Sequence, residues 1–576
     1  MVSFLAVRNI VKAGTFTATL TWRHLRDEPA RLPLLALRLL PGPLRRGARR
    51  AGGRLGGLPR AYALWDAGHR ADVLETVRRA AHDASPRHLA RLAAFTIAVE
   101  QPGLATELLA SLPEGRRRAG LAHRLAVKTG RVAPDDAPDQ WNAASVTVRR
   151  RTPRDAVVNG RVLHVVTNAL PHTNAGYTQR THRIALGQRA AGLDPHVLTR
   201  LGYPLTKGVP DTRRRLELDG VAYHRILPWT APRDAAAELR TSLRLTGRLV
   251  ERLRPQVLHA ASNHRNGRLA LELGRGFGLP VVYEVRGFLE ESWLSRDPAR
   301  SVADAFYQAE RERETACMLG ADLVVTLGET MRADIVARGV PEDRVVVIPN
   351  AVDEEFLLPL PDGARRRAHL GVPADAFVVG TTTSCYGYEG LTTLVDAIAL
   401  LRARGVPAHV LIVGDGPELA ALRRRADEAG LGGAAHFPGR VPATEVRDHH
   451  AAMDVFAVPR RDERVSRLVT PLKPVEAMAG GLPVVASDLA ALREVVEPGV
   501  TGELIPPDDS EALSICLERL FYSPELRAAY GDAARERVGR DRTWTAAAYR
   551  YITAYSAISE QLSRPGHRVP GQPTSG

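Results

Sequence analysis

Two successive series of alternating strand and helix patterns constrain the fold of this chain more than any other feature. The first series begins at RVLHVVTNALP, residues 161–171, a continuous apolar run that is followed by a helical pattern ending at Gly192. Strand and helix patterns alternate as far as DRVVVIPN, and the alternation restarts after residue 360 with AFVVGTTTS. Continuous apolar strands separated by helices are typical of parallel sheets with helices on both faces. The sequence therefore predicts an α/β protein with two Rossmann-like domains.

The length of 576 residues exceeds what one hydrophobic core supports, so several domains are expected. The two α/β domains should face each other across a cleft, because ligands of such sheets bind at the carboxyl ends of the strands. The region before these domains has apolar residues at helical spacing. It forms either helical repeats or a helical extension that packs on the next domain. We predict a basic N-terminal extension (1–57), an α-helical repeat-like region (58–131), a linker (132–156), an N-terminal Rossmann-like domain (157–358), a C-terminal Rossmann-like domain (359–540), a crossover helix (541–562) and a disordered tail (563–576).

The net charge of +15 is concentrated at the N-terminus, where residues 1–60 hold twelve Lys and Arg against two acidic residues. The apolar run LPLLALRLLPGPL is interrupted by Arg38 and prolines and is too short for a membrane span. The opening MVSFLAVRNIVKAG is short, contains charges and lacks a clear signal-peptide cleavage site. We therefore expect a cytoplasmic protein. Peripheral contact of residues 1–55 with an anionic membrane, such as the inner face of the plasma membrane, and a plain solvated extension both stay open. No nucleic-acid motif accompanies the basic segment, so no nucleic-acid partner is expected.

The stretch TPLKPVEAMAGGLPVVASD, residues 470–488, places a lysine and a glutamate at the start of a predicted helix. Free amides at a helix start attract anions, and Lys473 adds a full positive charge, so a phosphate or diphosphate would fit there. Glu476 could accept hydrogen bonds from vicinal sugar hydroxyls. Alternatively, Glu476 only stabilises the helix start and Lys473 is solvated.

Five motifs follow one another along the two predicted α/β domains: PHTNAGYTQRTHRIALGQRAAGL, VIPNAVDEEF, YGYEGLTTLVDAI, LIVGDGPELAALRRRA and VTPLKPVEAMAGGLPVVAS followed by LREVVEPGVTGELIPPDD. Through these motifs residues 156–555 resemble the glycosyltransferases of family 4, which are retaining enzymes with the two-domain GT-B fold. The resemblance implies a nucleotide-sugar donor held mainly by the C-terminal domain, an acceptor held by the N-terminal domain, retention of anomeric configuration and no catalytic metal.

The expectation of no metal and no other cofactor agrees with two features of the sequence. Glycosyltransferases of the other large class generally hold a metal on the diphosphate with an Asp-x-Asp motif, and none occurs in this chain. The cysteines Cys317, Cys385 and Cys516 match no metal-binding spacing. Protein cations must then neutralise the leaving diphosphate. The candidates are Lys473 and the arginines of PRRDERVSRLV, namely Arg460, Arg461, Arg464 and Arg467.

Three features of the N-terminal domain supply further candidate site residues. Gly176 follows the first strand, where a glycine lets backbone amides approach a ligand, although a simple turn is the alternative. The family often has a histidine where this chain has Ala261, so His264 could replace it, or the histidines of this segment are structural. Arg286 and Glu290 follow a strand and so lie on the cleft side, unless they form internal ion pairs. The predicted site comprises catalytic Lys473, Arg460 and His264; donor-binding Gly176, Gly414, Thr470, Pro471, Leu472, Lys473, Glu476 and Arg464; and acceptor-binding Tyr177, Arg180, Arg286 and Glu290.

The chain departs from the family at several of these places. The first of two glutamates that are commonly separated by seven residues is Leu468 here. Ser384 and Glu389 stand near the positions of an expected Arg and Lys. From the resemblance we predict a retaining, metal-independent transfer of a sugar from a nucleotide-sugar donor to a saccharide, lipid-linked or small-molecule acceptor in cell-surface glycan biosynthesis. A catalytically degenerate GT-B scaffold is the main alternative, and an epimerase or phosphorylase is a weaker one.

Overall fold

The computed structural model describes residues 2–132 and 157–563, which form a helical region followed by two α/β domains. The predicted linker and the predicted disordered tail lie outside the described residues except for their first positions. The two sheets confirm the predicted architecture of two Rossmann-like domains preceded by a helical region.

The helical region consists of one long helix and a cluster of shorter ones. Buried apolar side chains such as Leu92, Phe95, Val73 and Val77 form a core of its own between the shorter helices. The helices are α1 (Val2–Asp27), α2 (Leu32–Leu39), α3 (Gly42–Leu55), α4 (Gly57–Ala67), α5 (Arg70–Ala81), α6 (Pro86–Ala98), α7 (Pro102–Ala110) and α8 (Arg116–Thr129).

Helix α1 packs on the first α/β domain. Phe16 is only 2% exposed and forms a small apolar cluster with Ala13 and Leu227. Arg23 Nη1 donates to the carbonyl of Pro232 at 2.7 Å. This part of the basic extension is therefore a docked helix, which argues against a plain solvated extension.

The first α/β domain contains an eight-stranded sheet. Its strands are β1 (Arg161–Val166), β2 (Asp194–Thr199), β3 (Arg215–Leu218), β4 (Val221–His224), β5 (Val257–Ala261), β6 (Val281–Val285), β7 (Leu323–Thr326) and β8 (Val345–Val347). Its helices are α9 (Gly176–Ala190), α10 (Ala235–Leu253), α11 (His264–Phe277), α12 (Leu289–Leu294), α13 (Ala305–Gly320) and α14 (Glu329–Ala337). The strand order is β3-β4-β2-β1-β5-β6-β7-β8, and only the β3–β4 pair is antiparallel.

The second α/β domain contains a six-stranded parallel sheet. Its strands are β9 (Phe377–Thr382), β10 (Ala408–Val413), β11 (Ala435–Gly439), β12 (Val455–Val458), β13 (Val484–Ser487) and β14 (Gly502–Ile505). Its helices are α15 (Gly363–Leu370), α16 (Leu391–Ala403), α17 (Leu419–Glu428), α18 (Val446–Ala451), α19 (Arg464–Leu468), α20 (Lys473–Ala479), α21 (Ala490–Arg493), α22 (Ser510–Tyr522) and α23 (Pro524–Asp541). The strand order is β11-β10-β9-β12-β13-β14.

Each sheet has a position where the direction of strand addition reverses. In the first sheet β2 lies on one side of β1 and β5 on the other, and in the second sheet β10 and β12 flank β9 in the same way. The loops that follow the two flanking strands diverge there and leave a crevice at the carboxyl ends. The fold thus places one ligand crevice on each domain.

The last described helix, α24 (Trp544–Ser563), lies on the first domain although it follows the second in the chain. Its Tyr551 hydroxyl donates to Glu284 Oε1 at 2.8 Å, and its Tyr555 hydroxyl accepts from Gln188 Nε2 at 2.9 Å. Both tyrosines are fully buried and belong to the apolar cluster beneath the first sheet. The C-terminal end of the described chain is thus part of the core of the first domain.

Glu284, in β6, is fully buried at the centre of a polar cluster. Its carboxylate accepts from Arg180 Nε at 2.9 Å, from Arg286 Nε at 2.9 Å and from Tyr551, and it lies 3.1 Å from His259 Nε2. Burial favours the neutral carboxyl, but the charges of Arg286 and Arg180 outweigh it and hold the pKa of Glu284 well below its usual value. The ionised carboxylate therefore joins β5, β6, α9 and α24.

We expect Glu284→Gln to lower the free energy of unfolding by about 3–5 kcal/mol at neutral pH, because it leaves two buried guanidinium groups without their counter-charge. Since the pKa of Glu284 is depressed by folding, its contribution is present above the usual glutamate pKa of 4.5 and is lost as the pH falls below it. Urea denaturation between neutral and acidic pH measures both effects. If the difference in free energy of unfolding between wild type and variant does not decrease on acidification, the ion-pair explanation is contradicted.

Gly414 follows β10 in a left-handed conformation, with φ +153°, and packs against the loop after β9. A Cβ atom there would lie 1.7 Å from the carbonyl oxygen of Thr383. Because backbone cannot yield as a flexible side chain can, we expect Gly414→Ala to destabilise the protein by at least about 1–3 kcal/mol. Gly433→Ala is the matched control, since a Cβ at Gly433 meets no atom within 4 Å. Thermal unfolding of both variants tests this, and equal melting temperatures would contradict it.

Candidate functional site

A cavity of about 240 Å³ lies between the two α/β domains, where their crevices face each other. The first domain contributes the start of α9 and the loops after β6, β7 and β8, and the second contributes the loops after β9 and β12 and the start of α20. The lining residues used below are Gly176, Tyr177, Arg180, Arg286, Asn350, Ser384, Tyr386, Tyr388, Glu389, Arg460, Thr470, Pro471, Leu472 and Lys473.

Lys473 is the first residue of α20 and lines this cavity half-buried. Within residues 2–132 and 157–563 its ammonium group forms no hydrogen bond or ion pair. The adjoining Thr470 is held by Asn350, whose Nδ2 donates to the Thr470 carbonyl at 3.1 Å. The segment that carries Lys473 is thereby tied to the first domain, and the charge of Lys473 remains available to a ligand.

The start of α20 offers fewer free amides than the sequence motif suggests. Pro474 has no amide hydrogen, and the amides of Val475 and Glu476 both donate to the carbonyl of Leu472. The amides of Val475 and Glu476 are therefore already used within the protein, whereas the side chain of Lys473 is not.

Arg460 follows β12 and reaches the same cavity, but it is already paired. Its Nε and Nη2 donate to the two carboxylate oxygens of Glu389, each at 3.1 Å, and Nη1 donates to the carbonyl of Val469 at 2.9 Å. Arg460 also lies over the ring of Tyr388, 5.8 Å from its centroid. Glu389 lies in the loop after β9, near a position where the family often has a cation. In this chain its carboxylate instead orients Arg460, a cation of the loop after β12.

Two tyrosines of the loop after β9 form a stacked pair in the cavity wall. The ring centroids of Tyr386 and Tyr388 are 5.8 Å apart and their planes differ by 7°. Both residues belong to the motif YGYEGLTTLVDAI, but they are not among the site residues predicted from the sequence. The signal that could have found them is the i, i+2 spacing of aromatic residues in a loop after a parallel strand.

Gly176 and Tyr177 begin α9 and form the opposite wall. A Cβ atom at Gly176 would meet no atom within 4 Å, so protein packing does not require a glycine there. The exposed Tyr177 accepts a hydrogen bond from Asn168 Nδ2 at 2.8 Å. Both predicted positions are therefore brought to the cavity with open space in front of them.

Arg180 and Arg286 line the cavity but are committed to internal contacts. Arg180 is 2% exposed and donates to Glu284, Asn350, Tyr551 and the carbonyls of residues 348 and 349, which uses its whole guanidinium group. Arg286 donates to Glu284, to the Tyr177 carbonyl and to a threonine hydroxyl of α9. Their predicted acceptor roles are corrected accordingly: both arginines organise the wall, and Arg180 has no donor left for a ligand.

Two other predicted residues form ion pairs elsewhere. Glu290 is fully buried, 2.8 Å from Arg338 Nη1, and burial raises its pKa. Arg464 donates to Glu291 of the first domain at 2.9 Å. Neither side chain lines the cavity. A buried paired carboxylate cannot reach an acceptor, and the Arg464 pair instead joins the two domains.

His264, Glu476 and Gly414 also lie outside this cavity. His264 begins α11 with Nδ1 3.3 Å from Glu310 Oε2, and it lines a separate cavity of about 260 Å³. Glu476 is half-buried beside Lys473, and burial raises its pKa. Gly414 permits the close backbone contact described above. The structure therefore gives these three residues no contact with the predicted donor pocket.

The remaining departures from the family pattern have visible structural counterparts. Leu468, where a glutamate is common, packs against the apolar core of the first domain. Ser384 lines the cavity but adds no charge. The cavity thus contains four cationic side chains, and the carboxylates of Glu389 and Glu284 compensate only part of their charge. The lining itself holds four cations and one carboxylate, Glu389, so it is positively charged overall.

Comparisons with known proteins agree with this geometry. The sequence profile "Glycosyl transferase 4-like domain" matches residues 175–351, and "Glycosyl transferases group 1" matches residues 376–522. A GDP-mannose-dependent alpha-(1-6)-phosphatidylinositol monomannoside mannosyltransferase from Mycolicibacterium smegmatis is 31% identical over 246 residues, which are 42% of this chain and 62% of that protein. D-inositol 3-phosphate glycosyltransferase 1 from Catenulispora acidiphila is 29% identical over 323 residues, 54% of this chain and 74% of that protein. The chain thus spans about three-fifths of the length of the mannosyltransferase.

Solved structures share the fold. Sucrose-phosphate synthase from Thermosynechococcus elongatus matches with a TM-score of 0.56 at 22% identity, covering 69% of this chain and 99% of that one. Anabaena HepE in complex with UDP matches with a TM-score of 0.54 at 19% identity, covering 69% and 100%. Because the two profiles together match more than half of its residues, the chain belongs to the group 1 glycosyltransferases of the family 4 type, with the GT-B fold.

Proposed function

We propose that this protein transfers a sugar from a nucleotide-diphosphate sugar to an acceptor hydroxyl, with retention of configuration and without a metal ion. The observation that carries the proposal is the excess positive charge of the interdomain cavity, with Lys473 unpaired among the described residues. A diphosphate leaving group needs this kind of charge at the point where its own negative charge develops. The cavity also lies at the carboxyl ends of both sheets, where a donor and an acceptor can meet.

In the proposed reaction the bond between the anomeric carbon and the diphosphate oxygen breaks as the acceptor oxygen bonds to that carbon from the same face. The acceptor proton passes to the departing phosphate oxygen. Lys473 and the Arg460–Glu389 pair lie in the wall that receives the diphosphate, so their charges would stabilise it as it leaves. The stacked Tyr386 and Tyr388 offer a flat surface for the nucleotide base.

The metal-independent part of the proposal rests on the protein's own cations and on the sequence, which has no Asp-x-Asp motif. For the acceptor, the proposal includes saccharides and lipid-linked saccharides in cell-surface glycan synthesis in the cytoplasm. The names of the two relatives, a phosphatidylinositol monomannoside mannosyltransferase and an inositol 3-phosphate glycosyltransferase, support a hydroxyl-rich acceptor.

We expect Lys473→Ala to lower kcat for sugar transfer or donor hydrolysis by about 10²–10³-fold, the loss typical of one charge-stabilising donor. Lys207→Ala, which removes an exposed lysine outside the cavity, is the matched control and should leave kcat unchanged. Steady-state release of nucleoside diphosphate measures both variants.

The same assay separates the enzyme from a degenerate scaffold. Wild-type protein that neither hydrolyses nor binds any of a panel of nucleotide sugars, judged by melting temperature, would support the scaffold. Retention is tested independently by proton NMR of the first-formed product. A product with the anomeric configuration opposite to that of the donor would refute the retaining mechanism.

We further propose that α1 contacts an anionic membrane surface. Val7, Ile10 and Val11 are 55%, 62% and 54% exposed, and their i, i+3, i+4 spacing places them on one face. Among the described residues, no helix combines the length and apolar character that a membrane span requires. Contact would therefore occur at the surface, through this apolar face and its neighbouring cations.

We expect Ile10→Asp to reduce co-flotation with vesicles of phosphatidylcholine and phosphatidylglycerol, because it places a charge on the apolar face. Ile515→Asp is the matched control, since Ile515 is a 55% exposed residue of the second domain. Equal flotation of wild type and both variants would contradict contact through α1.

A further inference from the structure

A second cavity, of about 680 Å³, lies between α1, the β2–β4 part of the first sheet and α10. It shares no lining residue with the interdomain cavity. Its walls come from the docked extension and from the first α/β domain, so it exists only because α1 packs on that domain. We call it the extension cavity.

The lining of the extension cavity is strongly cationic, and no Asp or Glu of the described chain lines it. Three of its arginines are paired with carboxylates from outside the lining, for example Arg161 with Asp194 at 2.6 Å and Arg225 with Asp211 at 2.8 Å. Six further cations form no hydrogen bond or ion pair within residues 2–132 and 157–563. These six are Arg8, Lys12, Arg214, Arg244, Arg248 and Arg252.

The six cations come from three separate elements that converge on one space. Arg244, Arg248 and Arg252 follow each other at i, i+4 spacing and so lie along one face of α10. Arg8 and Lys12 have the same spacing on α1. Cations from both helices therefore line one shared cavity.

This convergence is unfavourable in the absence of an anion. Burial lowers the pKa of Lys12, and the charges of Arg214, Arg8, Arg244 and Arg248 lower it further. Lys12 is also held 5.6 Å from the ring centroid of Trp229. Like charges that line one cavity repel one another, and an anion bound among them would offset that repulsion.

We propose that the extension cavity binds a ligand whose phosphate groups carry at least two negative charges. Arginine matches the geometry of phosphate oxygens with two parallel N–H donors, and several arginines that line one cavity suit a multiply charged group. The ligand is either the headgroup of a phospholipid or a soluble phosphate compound, and both share this chemistry. The proposal does not depend on sugar transfer, because no residue of the interdomain cavity takes part.

A nucleic acid fits the cavity less well. Single-stranded nucleic acids bind through aromatic side chains on which successive bases stack. The described lining contains one tryptophan, Trp229, and no tyrosine or phenylalanine. The cavity therefore offers charge without a series of stacking surfaces.

The test uses the full chain and a triple variant, Arg244→Gln, Arg248→Gln, Arg252→Gln, all exposed on α10 and so not required for its core. The matched control removes three exposed arginines outside the cavity: Arg365→Gln, Arg424→Gln, Arg550→Gln. A second cavity variant, Arg8→Gln, Lys12→Gln, removes charge from the opposite wall. Donor hydrolysis by the cavity variants should equal that of wild type, which separates this proposal from the proposed reaction.

In the first arm, inorganic pyrophosphate is titrated in solution and the melting temperature is recorded. In the second, co-flotation is compared between phosphatidylcholine vesicles containing phosphatidic acid and charge-matched vesicles containing phosphatidylglycerol. Both cavity variants should weaken binding by about tenfold or more in at least one arm, because each removes at least two charges that face the ligand. The control should bind as wild type does.

A response to pyrophosphate alone supports a soluble ligand, and a preference for phosphatidic acid vesicles alone supports a lipid headgroup. The proposal is overturned if neither arm shows binding by wild type, or if the cavity variants and the control lose binding equally. It is also overturned if poly(U) RNA binds in a way that the cavity variants abolish while pyrophosphate has no effect.

Discussion

The buried carboxylate of Glu284 is the interaction on which the rest of the structure depends. It lies beneath the interdomain cavity and binds Arg180 and Arg286, two cations that would otherwise be buried without compensation. Through Arg180 it fixes the loop after β8, and through Tyr551 it fixes α24. Breaking one of these contacts would leave a buried charge unpaired, which costs free energy. The elements that share the cluster therefore stabilise one another. One buried carboxylate therefore links several elements of the cavity wall.

The cations around the cleft differ in what they already contact. Arg180, Arg286 and Arg464 bind carboxylates and hold parts of the protein together. Arg460 is paired in the same way, with the Glu389 carboxylate and the Val469 carbonyl. Of the cations that line the cavity, only Lys473 forms no such contact among the described residues. Residue type alone does not distinguish Lys473 from the paired cations, whereas the hydrogen-bond partners do.

The fold could be predicted from the sequence because apolar strands and helices alternate in the pattern that parallel sheets require. The motif around Lys473 was placed correctly for a similar reason, since it joins a strand to a helix at the carboxyl edge. The partners of Glu290 and Arg464 could not be predicted, because Arg338 and Glu291 come from other segments and no local spacing encodes them. The docking of α1 through Phe16 was missed because its basic composition dominates the segment.

Helix α24 has a consequence for how the protein is made. Tyr551 and Tyr555 supply part of the buried core and the polar cluster of the first α/β domain, yet they are translated after the whole second domain. Domains generally fold as units during synthesis, beginning at the N-terminus. The last strand of the first domain, β8, is therefore synthesised long before α24, which completes the core of that domain. On the ribosome the first domain lacks these core contacts until α24 has been synthesised.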